Sequence, residues 1–442
     1  MGLADIVAAL FDGKPPFKVT AYDGSVAGPD DAPLTVRFNS EDAVRRIVTR
    51  PGELGMARAY VAGDIDLDGE LDGLFSLQSP SPVALVRSGT MAQLLRSIGI
   101  SGLKPVEPPA IEARPHGALH SRERDREAVT HHYDVSNYFY SLVLGPSMVY
   151  SCAVFSTADE ALETAQLRKV DLIARKLNLA PGQRLLDVGC GWGTMAIHAA
   201  KTYGCHAVGI TLSEPQRARA QERAEEAGVS HLVEFRVQDY RDVTDGPFDA
   251  ISSIGMSEHV GRRSLEAYIA SLYRVLKPGG RLLNHAIGRP ATREENPKPT
   301  RAGEAIRQIQ IATGMRGPSR VKSEFMDRYV FPDGELHEVG TMVSMFQAHG
   351  LEVRHLESLR EHYALTLRAW VRNLEDNFEA ACNEVGRERA RVWRLYMAGS
   401  AVGFERHQLE IHQILMVKPM AGRAPLALRE AYEPDQLVSW FA

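Results

Sequence analysis

Between Arg184 and Gly288 short apolar runs recur at near-regular intervals, each followed by a longer stretch whose apolar residues fall three and four positions apart. The runs are RLLDVG, HAVGITL, VEFRVQD, FDAISSIG and GRLLNHAIG. Their length and their glycine or acid boundaries predict strands, and the periodic stretches between them predict amphipathic helices. Such alternation builds parallel βαβ units, so the expected fold is α/β, a doubly wound Rossmann-like sheet. Further on, HEVGTMVSMFQAHGLEVRHLESL predicts a helix and then a strand, and residues 363–412 predict long amphipathic helices. Residues 288–325 form an insert without strand pattern. Ahead of the sheet, LTVRF at 34–38 and turn signals at Asp23-Gly24 and Pro51-Gly52 predict a smaller α/β accessory domain over residues 1–102. The proline-rich and then charged stretch 103–127 predicts a linker, which leaves 128–442 as the main domain.

Composition narrows the class. Hydrophobic residues make up 44% and charged residues 24% of 442, the profile of a soluble globular chain with room for two folded units. A formal net charge of -5 argues against nucleic-acid binding by bulk basicity. Four scattered cysteines suggest reduced thiols and a cytoplasmic setting, and no spacing predicts a metal site. The adjacent histidines of HHYD at 131–134 point apart on any regular element and lack a third ligand nearby. No run of eighteen uncharged apolar residues occurs, so contact with the inner face of a membrane would be peripheral. The insert is rich in cations, namely Arg289, Arg293, Lys298, Arg301, Arg307, Arg316, Arg320 and Lys322, set against Glu294, Glu295 and Glu304. A solvated loop and a headgroup-binding surface both remain open for it.

The first strand ends in Asp187, and Gly189, Gly191 and Gly193 follow at alternate positions. Glycines let the backbone turn tightly beneath a ligand. Their G-x-G-x-G spacing is neither the dinucleotide fingerprint nor a P-loop, which disfavours pyrophosphate and suits the methionine and ribose of S-adenosylmethionine. Thr211 and Gln216 follow the second strand, where the next loop reaches ribose. Asp239 and Tyr240 follow the third, beside an adenine.

HHYDVSNYFYSLVLGPSMVYSCAVF, LLDVGCGWG, GITLSEPQ, EHVG, HAIG, RYVFPDGELH, HYALTLRAW and FERHQLEIHQ together resemble the cyclopropane-fatty-acid synthase family. That family includes the mycolic acid cyclopropane synthases and related lipid methyltransferases, and the likeness runs from about residue 50 to about 415. It implies a class I S-adenosylmethionine-dependent methyltransferase acting on an unsaturated phospholipid acyl chain, often as a homodimer. Tyr150 and Ser151 join the donor contacts by this resemblance. It also implies a bound bicarbonate held by Cys152, Glu258, His285, Ile287 and Tyr363. Taken singly, Cys152 reads as a small buried hydrophobe, Glu258 and His259 as a helix start, and His285 and Tyr363 as core. A cysteine common near the end of bacterial members falls at Ser400.

An isolated alkene is a weak nucleophile with no acidic proton, so an electrophilic methyl must begin the reaction. The resulting carbocation needs a dry pocket and a base. The aromatics Tyr133, Tyr138, Phe139, Tyr140, Tyr150 and Phe155 would wall an acyl tunnel, or simply be core. Proton loss from the new methyl gives a cyclopropane. A hydride shift first gives a methylene branch, which a partner reductase would saturate. A small-molecule methyltransferase and a non-catalytic lipid-binding subunit complete the alternatives.

Overall fold

The structure, a computed structural model, describes residues 2–11, 13–71, 75, 104–113, 124, 135–291, 323–424, 426 and 432. Tyr133, the HHYD stretch, most of the linker and every named charge of the insert except Arg289 lie outside the described residues. So does the boundary expected at residue 102.

The N-terminal region starts with α1 (Leu3–Ala9) and carries a small mixed sheet. Its strands are β1 (Lys18–Ala21), β2 (Val26–Ala27), β3 (Leu34–Phe38) and β4 (Ile65–Gly69), ordered β2-β1-β3-β4. Strand β3 is the predicted LTVRF, and its inward residues Leu34, Val36 and Phe38 are buried in alternation. Helices α2 (Glu41–Thr49) and α3 (Glu53–Val61) cross between β3 and β4. These residues share one hydrophobic core with helices from the far end of the chain, including Trp370, Trp393 and Met397. Arg391 pins the join. Its guanidinium donates to the Tyr60 carbonyl at 2.6 Å, to the Ile65 carbonyl and to the Asp66 carboxylate, with the Tyr60 ring 4.3 Å away.

The main sheet follows α4 (Asn137–Leu144) and α5 (Leu162–Lys176). Strand β5 (Arg184–Val188), α6 (Thr194–Tyr203), β6 (His206–Thr211), α7 (Glu214–Glu226), β7 (Val233–Val237) and β8 (Phe248–Ile254) come next. After them come α8 (Ser257–Val260), α9 (Leu265–Val275), β9 (Leu276–Gly288), α10 (Val339–Ala348) and β10 (Glu352–Ser358). Helices α11 (Arg360–Asp376), α12 (Phe378–Val385) and α13 (Arg387–Glu405) lead into β11 (Glu410–Val417). The seven strands run β10-β11-β9-β8-β5-β6-β7. Pairs from β7 to β9 are parallel, while β11 is antiparallel to both β9 and β10.

Alternation along β5 sends Leu185 to the layer of α5, α6 and α7, and Leu186 and Val188 to the layer of α9 and α10. Capping is local. The Ser213 hydroxyl receives Gln216 N at 3.3 Å to start α7, and the left-handed Gly193 and Gly204 bracket α6.

One expectation requires correction. Residues 363–412 are not helical throughout, because β11 begins at Glu410. As an interior strand it is buried at every position from Ile411 to Val417, so its sequence shows no period of two. The expected parallel βαβ units form β5 to β9, and β11 enters between β9 and β10 with reversed sense.

Candidate active site

Order reverses between β5 and β8, and a cavity opens there above the carboxyl ends of the strands, the usual ligand position in open α/β sheets. Of the donor-site residues expected from sequence, Tyr150, Ser151, Asp187, Gly189, Gly191, Thr211, Gln216, Asp239 and Tyr240 all line it. Gly193 does not. It holds φ at +82°, and a Cβ there would stand 2.6 Å from the Phe235 ring, so this glycine seats α6 against β7 rather than meeting a ligand.

The turn is held by Gly189 N and Cys190 N, which both donate to Ile210 O at 3.0 and 2.9 Å. Asp187 is buried and accepts from Ser252 Oγ at 2.7 Å; burial lifts its carboxyl to about 6 against the pull of that bond and of Lys169. The Thr211 hydroxyl donates to Gln216 Oε1 at 2.8 Å, which fixes both side chains at the second loop. Asp239 accepts from Arg241 N and Nε at 2.9 and 2.8 Å through one oxygen and from Arg241 Nη2 at 2.6 Å through the other. Tyr240 packs edge-on against Tyr268 at 5.2 Å.

Behind this cavity lies a second group of side chains. Glu258 opens α8, is 7% exposed, and accepts from Ile287 N at 3.4 Å through Oε1, while Oε2 has no hydrogen-bond partner among the described residues. Burial pushes its carboxyl up to about 7. His285, on β9, is wholly buried, neither ring nitrogen is bonded among the described residues, and burial together with Lys169 and Lys176 holds it neutral. Cross-strand pairing sets Ile287 against Ile411, whose carbonyl receives Leu359 N at 3.0 Å. The Leu359 carbonyl in turn receives Tyr363 N at 3.1 Å and lies 3.6 Å from Cys152 Sγ. The five residues expected around the base are thus joined through β9, β11 and the start of α11. None of the five lines the first cavity. Burial drives the Cys152 thiol far above its ordinary value, which disfavours a thiolate nucleophile there.

Aromatic side chains close the region. The Tyr140 ring lies 4.6 Å from that of Trp192, and Tyr150 packs at 5.3 Å on Trp370 and 5.6 Å on Trp393, its hydroxyl donating to Tyr396 Oη at 3.0 Å. Phe139 and Tyr140 are fully buried, Tyr138 is exposed, and Phe155 packs separately with Ala153 and Ala165.

Several cavity residues escaped the sequence reading. Asp333 enters the lining and is held there by Arg124. His259 lines it beside Phe331, and burial takes its imidazole down to about 4. Lys169 does have a signal in the sequence: it sits in phase with Ala165 and Ile173 on the apolar face of α5, a place where a lysine is out of character.

The sheet order and the glycine turn define a class I S-adenosylmethionine-dependent methyltransferase. The family model for mycolic acid cyclopropane synthetase matches residues 120–414, and the chain belongs to that family. It is 45% identical over 434 residues to a probable fatty acid methyltransferase of Mycobacterium tuberculosis, covering 96% of each chain. It is 31% identical over 388 residues to the cyclopropane-fatty-acyl-phospholipid synthase of Escherichia coli, covering 87% of this chain and 88% of that one. The solved mycolic acid cyclopropane synthase CmaA1, complexed with SAH and CTAB, superposes with a TM-score of 0.58 at 30% identity, over 66% of this chain and 98% of the other.

Proposed function

We propose that the protein transfers the methyl group of S-adenosylmethionine to the double bond of an unsaturated phospholipid acyl chain, with bicarbonate at the Glu258–His285 group, to give a cyclopropane. The observation that carries this reading is the pair of buried, unbonded polar side chains behind the donor cavity. A carboxylate oxygen and an imidazole lacking hydrogen bonds cost stability unless something completes them. Glu258 Oε2 offers an acceptor, and neutral His285 offers one donor and one acceptor, which is the bonding pattern of bicarbonate with its hydroxyl.

S-adenosylmethionine, when bound, supplies an electrophilic methyl, and bicarbonate supplies a base for the proton that leaves the acceptor. Tyr150, Ser151, Asp187, Gly189, Gly191, Thr211, Gln216, Asp239 and Tyr240 would hold the donor. Cys152 shapes the wall without ionising, and the Ile287 amide, by donating to Glu258 Oε1, orients that carboxyl, with Tyr363 closing the far side of the group. The aromatic residues around Tyr150 exclude water, which protects a cationic acceptor from hydration. A buried neutral imidazole adds no charge to repel that cation. Placement of such an oriented base is worth about two to four powers of ten in rate.

Among the described residues no helix is long and apolar enough to cross a membrane. Peripheral contact through the insert would bring the enzyme to its lipid. Replacing Arg316, Arg320 and Lys322 by Glu should then weaken binding to anionic vesicles.

The decisive experiment incubates the protein with methyl-labelled S-adenosylmethionine and oleoyl phospholipid and examines the released fatty acids by mass spectrometry and proton NMR. A gain of one CH₂ with upfield ring protons is expected. A terminal alkene signal would replace cyclopropanation by methylene branching, and unlabelled lipid would refute acyl transfer.

A further inference from the structure

Lys169 is 1% exposed and lines the donor cavity from α5. Its Nζ donates to Ser151 Oγ at 2.8 Å, and no carboxylate among the described residues stands within ion-pair distance of it. An ammonium has three donors, so two remain open, and the one partner it has is a neutral hydroxyl. Asp187 lines the same cavity, feels this charge only at longer range, and spends its bond on Ser252 instead. Lys176, one helical stretch further on and equally buried, shows the contrast: it is satisfied by Glu357 and by Gln413 Oε1 at 2.7 Å.

A buried ammonium without a counter-ion loses several kcal/mol of hydration with little return. Burial does lower its affinity for the proton, to about 8, which still leaves the cation dominant at neutral pH. The arrangement therefore has an unfilled requirement for an anion. It lies between the donor cavity, where Ser151 points, and the Cys152–His285 region, both of whose members feel its charge.

We propose that Lys169 is the anion-binding residue of this site, its free N–H groups receiving an oxygen of a carboxylate or carbonate ligand while Ser151 holds the side chain in place. The inference rests on the cavity being the donor site. Two sources supply such an oxygen there: the amino-acid carboxylate of the donor and the bicarbonate ion. With the donor as source, Lys169 and Asp187 would face the two ends of a zwitterion.

The test uses the full chain and three variants: Lys169→Met, Lys169→Gln as a second neutral form, and Lys169→Arg to restore charge. Calorimetry measures S-adenosylhomocysteine and, for comparison, 5′-methylthioadenosine, which lacks the amino-acid end. Broadening of the ¹³C-bicarbonate NMR line measures the other ligand. A charge-assisted hydrogen bond contributes about ten- to a hundredfold in affinity. If the donor carboxylate is the source, the neutral variants should lose that factor for S-adenosylhomocysteine, keep their affinity for 5′-methylthioadenosine, and regain part of the loss in the Arg form. If bicarbonate is the source, S-adenosylhomocysteine binding should be unchanged and bicarbonate broadening should vanish. Wild-type affinity for both, retained in folded neutral variants, overturns the proposal. Failure of the wild-type chain to bind S-adenosylhomocysteine would overturn the donor-site reading itself. Should neither neutral variant fold, the ¹⁵N resonance of the Lys169 ammonium in the wild-type protein must shift on adding one of the two anions, and an unmoved resonance overturns the assignment.

Discussion

Replacing Glu258 by Gln should make the protein more stable and inactive at once, with a stability gain that depends on pH. The carboxyl is buried, has one unbonded oxygen, and is pushed up from 4.5 to about 7. At 1.36 kcal/mol per pKa unit, ionising it in the folded state costs about 3 kcal/mol more than in the unfolded chain. The sign follows from the raised value. Below about pH 4.5 the group is protonated in both states, and the wild-type protein carries no penalty. As pH rises from 4.5 through 7 the unfolded chain releases its proton first, and stability falls until both states are ionised. The amide has no such titration. Urea unfolding of the ligand-free proteins at pH 5 and pH 8.5 should show the variant gaining about 2–3 kcal/mol on wild type between the two conditions. An equal difference at both pH values would refute the argument, because it would mean that Glu258 ionises freely. Turnover of labelled S-adenosylmethionine should fall by about two to four powers of ten in the same variant. A carboxylate that destabilises the fold yet is required for rate is the expected mark of a functional group.

Further tests address the framework. Gly193→Ala places a Cβ 2.6 Å from the Phe235 ring at a φ of +82° and should cost about 1–3 kcal/mol in thermal unfolding, with the cavity-lining Gly189 and Gly191 untouched. Arg391→Met removes the guanidinium bonds to the Tyr60 and Ile65 carbonyls and to the Asp66 carboxylate at the junction between the N-terminal sheet and α13. A loss of about 2–4 kcal/mol is expected in urea, and a change below 1 kcal/mol would show the junction to be dispensable. Iodoacetamide applied to the native protein should label half-buried Cys382 well before Cys152, Cys190 and Cys205, all buried, as peptide mass spectrometry would show.

Local patterns in the chain were sufficient for the parallel half of the main sheet and for much of the lining of the cavity at its carboxyl edge. Apolar runs bounded by glycine marked β5 to β9, and residues just past each strand end necessarily come together at the carboxyl edge of a parallel sheet. Asp187, Thr211, Gln216, Asp239 and Tyr240 were therefore legible from position alone. Motif likeness rather than pattern drew attention to Cys152, Glu258, His285, Ile287 and Tyr363.

Tertiary structure decided the rest. Strand β11 was invisible because an interior strand buried on both faces has no alternation to read, and its reversed sense depends on how α11 to α13 return the chain. Gly193 sat in the right motif, but only the closeness of Phe235, forty-two residues away in sequence, gives it a packing role. The linkage of Cys152 and Tyr363 to Glu258 and His285 runs through Ile411 and Leu359, partners set by sheet register. Lys169 is the clearest case. Its sequence context marks it as misplaced on an apolar helix face, yet only the packed interior shows that no carboxylate among the described residues meets it, because charge compensation is a property of neighbours in space and not along the chain.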